Sequence, residues 1–112
     1  MNAMKRVACV LACLTSWAAA GCDFFVCPDN TAHIALESPG DPFPIPALHI
    51  GEVVAEQARR DGRSEVGILG TKYTMTGPVY PGALGRRGIG WGLPDEADRK
   101  IVNDIIFDEL CL

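Results

Sequence analysis

Asp23-Phe24-Phe25-Val26-Cys27-Pro28-Asp29-Asn30-Thr31-Ala32-His33 is the stretch on which the fold turns. Phe24 to Cys27 is a short apolar run, closed by a proline and three small polar residues. It reads as a strand followed by a turn at Pro28 to Thr31. The run does not alternate with polar residues, which is the pattern of a strand covered on both faces and predicts a parallel sheet. His33 to Leu36 then reads as a short helix.

Working upstream, Met1 to Cys22 admits two readings. One is an export leader, with Lys5-Arg6 as the basic end, Val7 to Ala20 as the apolar centre and Ala19-Ala20-Gly21-Cys22 as a lipoprotein-like cleavage box. The other is an ordinary helix carrying Val7, Val10, Leu11, Leu14 and Trp17 on neighbouring faces and stopped by Gly21. The buried-strand pattern after Cys22 favours the helix over an exposed tether. The apolar stretch 7–20 is shorter than the ~20 residues that span a bilayer, so no membrane partner is expected.

Downstream, Ser38 to Pro46 contains Pro39, Gly40, Pro42, Pro44 and Pro46 and reads as a loop. The spacing predicts a helix over Leu48 to Arg60, with Ile50, Val53, Val54 and Ala58 inward and Glu52, Glu56 and Arg60 outward. Asp61-Gly62 stops it. Glu65 to Gly70 reads as a strand, Thr71 to Thr76 as a polar segment, and Gly77 to Arg87 as a helix weakened by three glycines. Ile89 to Trp91 reads as a short strand. Asp95 caps a helix predicted over Glu96 to Leu110, with Ile101, Val102, Ile105, Ile106 and Leu110 as its apolar stripe. Such alternation predicts an α/β fold, a three-layer sandwich around a mostly parallel sheet.

The 112 residues suit one small domain or a section of a larger protein. An apolar content of 48% provides a core and argues against a disordered chain. The net charge of −4, with scattered Lys and Arg, lacks the basic footprint of a nucleic-acid partner. Arg59-Arg60 and Arg86-Arg87 read as solvated helix ends. The five cysteines contain no C-x-x-C pair, which removes the main support for a zinc ribbon or a thioredoxin-like site. Cys27, His33 and His49 are metal-binding residue types, but their spacing selects no metal site. Thiols of a reducing compartment are the economical reading, and they predict a cytoplasmic protein.

Ligands of an open parallel sheet bind beyond the carboxyl ends of its strands. Two predicted strand ends carry polar clusters, Cys27 to His33 and Gly70-Thr71-Lys72-Tyr73-Thr74. Each sets hydroxyl or amide side chains beside backbone N–H groups at a helix start, which suits a carboxylate. The alternative is that Asn30, Thr31 and Thr71 only cap helices and form turns. Gly88-Ile89-Gly90-Trp91-Gly92 lacks the G-x-G-x-x-G spacing, and Gly70-Thr71-Lys72 is no P-loop.

Several separated motifs then carry a resemblance. Asp29-Asn30-Thr31-Ala32-His33, Ile45-Pro46-Ala47-Leu48-His49-Ile50, Gly67-Ile68-Leu69-Gly70-Thr71, Tyr80 and Ile105-Ile106-Phe107-Asp108-Glu109-Leu110 follow the order found in the aspartate/glutamate racemase family. The chain resembles that family from about Leu11 onward. The resemblance implies a cofactor-independent amino-acid racemase with two similar α/β lobes and the site in the cleft between them. One cysteine would take the Cα proton, and a second, from the other lobe, would deliver a proton to the opposite face. It further implies that Asn30 and Thr31 bind substrate from the first lobe and Thr71 from the second. Residues 1–62 would then be the C-terminal part of the first lobe, and 63–112 the N-terminal part of the second.

Two departures shape the expected chemistry. Asp29 stands where the family has its first cysteine, and Cys27 lies two residues earlier in the extended segment. Asp29 and Cys27 are therefore the candidate catalytic residues. An aspartate has a reference pKa of ~3.9 against ~8.5 for a cysteine, a deficit of about 6 kcal/mol in proton affinity unless burial offsets it. One-sided chemistry with a single cysteine, or substrate binding alone, follows from that deficit. The family's second cysteine belongs to a Gly-Cys-Thr-Glu-like motif downstream of the Asp-Glu-Leu helix, so an internal section of a racemase is expected. Self-association, with a homodimer as the simplest form, is expected from open sheet edges. An inert fragment, a carboxylate-binding module and a small lipoprotein stay open as alternatives.

Overall fold

The computed structural model describes residues 13–37 and 43–111. Lys5-Arg6, Val7, Cys9, Val10 and Leu11, together with Ser38 to Pro42 of the predicted loop, lie outside that set. The chain divides into two compact units, Met1–Ile50 and Gly51–Leu112.

In the first unit, helix α1 covers residues 13–19 and is followed by β1 (Phe25–Val26), α2 (His33–Leu36) and β2 (Ala47–Leu48). Gly21 ends α1 with φ at 85°, and the Cys22 amide donates back to the Trp17 carbonyl at 3.0 Å. This left-handed helix end carries little strain at a residue without Cβ. β1 and β2 are parallel, with Phe25 opposite Ala47 and Val26 opposite Leu48. Leu14, Phe25 and Ile45 form the core, lined by Ala18, Leu36, Phe43 and Ala47. Phe25 meets Phe43 edge-on with ring centroids 5.8 Å apart, a favoured aromatic geometry.

The structure corrects two expectations here. Phe24 and Val26 are 54% and 59% exposed, so β1 buries one face rather than both. Leu48 lies in β2, and helix α3 (Ile50–Arg60) starts two residues later than its spacing suggested. A two-residue strand is too short to show a period of its own.

The second unit holds most of α3, then β3 (Glu65–Gly67), α4 (Lys72–Thr76), α5 (Val79–Gly85), β4 (Gly90–Gly92) and α6 (Glu96–Ile105). A π-helical turn, Ile106–Leu110, continues α6. β3 and β4 are parallel, with Val66 opposite Trp91. Ala55 and Ala58 of α3, Ile68 after β3, Ala83 and Leu84 of α5, and Ile89 before β4 make the core. Full burial of a side chain such as Leu84 contributes roughly 1.5–3 kcal/mol. Thr71 to Thr76, expected as a polar segment, contains helix α4, because Thr71 caps the start and Met75 anchors the turn at 1% exposure.

Two predicted apolar faces are placed differently. The inward side of α3 is Gly51, Ala55 and Ala58, while Val53 and Val54 stay 52% and 36% exposed. Small residues win that face because they let the helix approach its neighbours closely. α6 has no buried residue, and Ile101, Ile105 and Leu110 of its stripe are exposed.

The arginine pairs do end helices, and they are ion-paired as well. Arg86 and Arg87 both reach Glu52, and Arg87 also reaches Glu56 at 3.4 Å. Arg59 and Arg60 bond Glu56 at 2.8 and 3.0 Å. Hydrogen bonds from Arg59 and then Arg60 hold the Glu56 carboxyl at about 2, and those from Arg86 and Arg87 lower that of Glu52. The cluster ties α3 to the end of α5 at the surface, where such pairs contribute little each.

Candidate functional site

The first candidate turn lies in the first unit, directly after β1. Proline at position 28 ends the strand, and the chain then coils into α2. Asp29 starts that coil: its Oδ1 accepts the Ala32 amide at 2.9 Å, so the carboxylate acts as a cap. The Asn30 carbonyl accepts the His33 amide at 3.3 Å, and the Thr31 carbonyl accepts that of Ile34 at 3.1 Å. Cys27 and Asn30 are half-buried, while Asp29 and Thr31 are exposed. Four of the five site residues named from sequence therefore sit on one short turn at the carboxyl end of a parallel strand.

Behind the turn is a residue whose role the sequence did not reveal. His33 is fully buried, and both ring nitrogens are engaged. Nδ1 lies 2.7 Å from the Asp29 carbonyl, and Nε2 accepts the Ile50 amide at 3.0 Å. A carbonyl can only accept and an amide N–H can only donate, so the ring is neutral with its proton on Nδ1. The His49 ring stands edge-on to it, centroids 4.7 Å apart, and His49 Nε2 lies 3.1 Å from Glu37 Oε1. With both nitrogens engaged, His33 has no lone pair left for a metal. Among the described residues, no three His, Cys, Asp or Glu side chains converge on a common point. The one clue in the sequence was a histidine four residues after Asp29; its partner Ile50 is 17 residues further on.

Thr71 belongs to the second unit and caps α4 in extended conformation. Its Oγ1 accepts the Thr74 amide at 3.4 Å and lies 3.3 Å from the Thr74 hydroxyl. The Lys72 amide is taken by Asn103 Oδ1 of α6 at 2.9 Å, and the Met75 amide by the Thr71 carbonyl at 2.9 Å. The amide donors foreseen for a ligand at this helix start are thus largely used within the protein. Tyr80 is half-buried against the core, and burial raises the pKa of its phenol. On the surface of this unit, one groove of mixed charge is lined by Lys72, Thr76, Glu96, Arg99, Lys100 and Asn103. A second, apolar groove is lined by Leu69, Gly70, Val102, Ile105, Ile106 and Leu110.

Parallel strands that open at their carboxyl ends into polar turns and helix starts define an α/β protein of the parallel-sheet class. The chain belongs to the Asp/Glu/hydantoin racemase family, whose sequence model matches residues 2–110. It is similar in structure to a proposed Asp/Glu racemase from Yersinia pestis, with a TM-score of 0.83 and 32% identity over 96% of this chain. An aspartate racemase homologue from Pyrococcus horikoshii gives 0.82 and 28% over 95% of this chain. This chain spans 47% of the length of each. Among the described residues, no helix is long and apolar enough to cross a membrane.

Proposed function

We propose that the protein exchanges the proton at the Cα of an acidic or related amino acid without a cofactor, as a racemase-family enzyme. The observation that carries this is the family match over residues 2–110, which includes the Asp29-Asn30-Thr31 turn beyond parallel β1. In this reading Asn30, Thr31 and Thr71 bind the substrate carboxylate. The Asp29 carboxylate or the Cys27 thiolate takes the Cα proton. The electron pair of the broken C–H bond is left on the carbon and spreads into the substrate carboxylate. Return of the proton from the same group gives exchange without inversion, and delivery from the opposite face gives racemisation. The lobe division at 62/63 belongs to the same proposal, supported by the stop of α3 at Gly62.

The test is incubation with L- and D-aspartate and L- and D-glutamate in deuterium oxide, with deuterium at Cα read by mass spectrometry. Enzyme-dependent uptake is expected, and its absence with all four would sink the reading. A second reading, a carboxylate-binding module without turnover, is supported by the cap bond that engages Asp29. Saturable binding by calorimetry without deuterium uptake would favour it.

We assign the protein to the cytoplasm as part of the same proposal. Its support is Leu14, fully buried in a helix that removal of a leader at Cys22 would delete from the core. A homodimer is the proposed assembly, supported by the exposed apolar side chains Ile101, Ile105 and Leu110. Sedimentation at rising concentration tests it, and a constant monomer mass would rule it out.

A further inference from the structure

We infer that His33 is the positioning residue of the Asp29–Thr31 turn: its buried Nδ1–H imidazole ties the Asp29 carbonyl, after β1, to the first amide of α3. The inference rests on the racemase reading for what the turn does and adds what holds the turn in place.

The Ile50 N–H is among the first donors of a helix, which have no acceptor within the helix. The preceding residue is His49, which has no short side-chain oxygen to serve as a cap. The acceptor comes instead from His33, 17 residues upstream, at 3.0 Å. The other ring nitrogen reaches the Asp29 carbonyl at 2.7 Å. That carbonyl shares a rigid peptide plane with the Asn30 N–H, so holding it fixes the direction in which the chain enters Asn30 and Thr31. Two more bonds converge on the turn, Ala32 N–H to Asp29 Oδ1 at 2.9 Å and His33 N–H to the Asn30 carbonyl at 3.3 Å. These two are local to the turn. The imidazole connects it to the start of the next strand-end helix, and His49 braces the ring edge-on at 4.7 Å.

A charged ring cannot do this, because a second N–H would face the Ile50 N–H. Nor can a side chain with a single hydrogen-bonding group. Asparagine places an amide nitrogen near the Nδ1 position and keeps the bond to Asp29. Glutamine places its carbonyl oxygen near the Nε2 position and keeps the bond to Ile50.

The test uses the full chain, labelled with 15N, and the variants His33→Asn and His33→Gln. In the unaltered protein the His33 ring is expected as the Nδ1–H tautomer, with a coupling across the hydrogen bond between Nε2 and the Ile50 amide nitrogen. His33→Gln is expected to shift the Asn30 and Thr31 amide resonances, to speed exchange at Ala32 about tenfold, and to raise KM for the amino acid more than it lowers kcat. His33→Asn is expected to leave the turn resonances near their original positions and to move that of Ile50. An Nε2–H ring in the unaltered protein overturns the inference whether or not the variants fold. So does a folded His33→Gln protein with unchanged Asn30 and Thr31 resonances. A protein that shows the expected tautomer and turn shifts but exchanges no Cα proton overturns the racemase reading and leaves the positioning role standing.

Discussion

The Asp29 carboxylate accepts the Ala32 amide through Oδ1, and an asparagine keeps that bond while losing the charge. Asp29→Asn should therefore unfold in urea within about 0.5 kcal/mol of the original protein, and Asp29→Ala about 1 kcal/mol lower. If the carboxylate is the proton acceptor, Cα exchange falls in both. Full exchange in Asp29→Asn would transfer the base role to Cys27. Glu56 gives a second residue-scale prediction. Its folded-state pKa is depressed to about 2 from 4.5, so the stability it adds is present above about pH 4.5. That stability is lost as pH falls through the interval between those two values. The urea midpoint of Glu56→Gln should lie below that of the original protein at about pH 6, by a gap that narrows below about pH 4.5 and closes only near about pH 2. A gap that does not change with pH would contradict the assignment, and added salt should narrow it at neutral pH.

At the scale of elements, helix ends were the most legible feature of the sequence. Gly62 ends α3 with φ at 68°, and the Arg63 amide closes back onto the Ala58 carbonyl at 2.9 Å. A Cβ added there meets nothing within 4 Å, so only the backbone resists a side chain. Gly62→Ala should cost about 1 kcal/mol and lower Tm by roughly 4–8 °C in a thermal melt, with Gly62→Asn in between. An unchanged Tm for Gly62→Ala would show that the left-handed turn is not held. Asp95 was equally legible, since its side chain accepts the Asp98 amide at 2.9 Å in a bond local to the first turn. Helix α4 has a local cap in Thr71, but the Asn103 side chain that takes the Lys72 amide is 31 residues away and shows in no local pattern. The α3 face was legible only in part, since Ala58 is buried as expected while Val53 and Val54 are not. Helical spacing identifies the apolar positions but not which neighbours arrive, and alanines, not valines, meet the core.

At the scale of the whole molecule, Leu14 tests whether the first helix is part of the fold. It is fully buried with Phe25 and Ile45, so Leu14→Ala should destabilise by about 2–5 kcal/mol. The purified protein should also keep its N-terminus by intact mass. Cleavage at Cys22 or a neutral Leu14→Ala would return the leader reading. The sequence by itself determined the alternation of strands and helices, the parallel class, the glycine helix stops and the motif order that marks the family. These rest on neighbours within a turn or a short run, where spacing and side-chain chemistry act directly. Only the tertiary structure decided which faces of β1, α3 and α6 are covered. It alone wired His33 between two strand ends, with Ile50 17 residues away. Each of those depends on a partner brought close by folding rather than by sequence distance, and no local pattern encodes it.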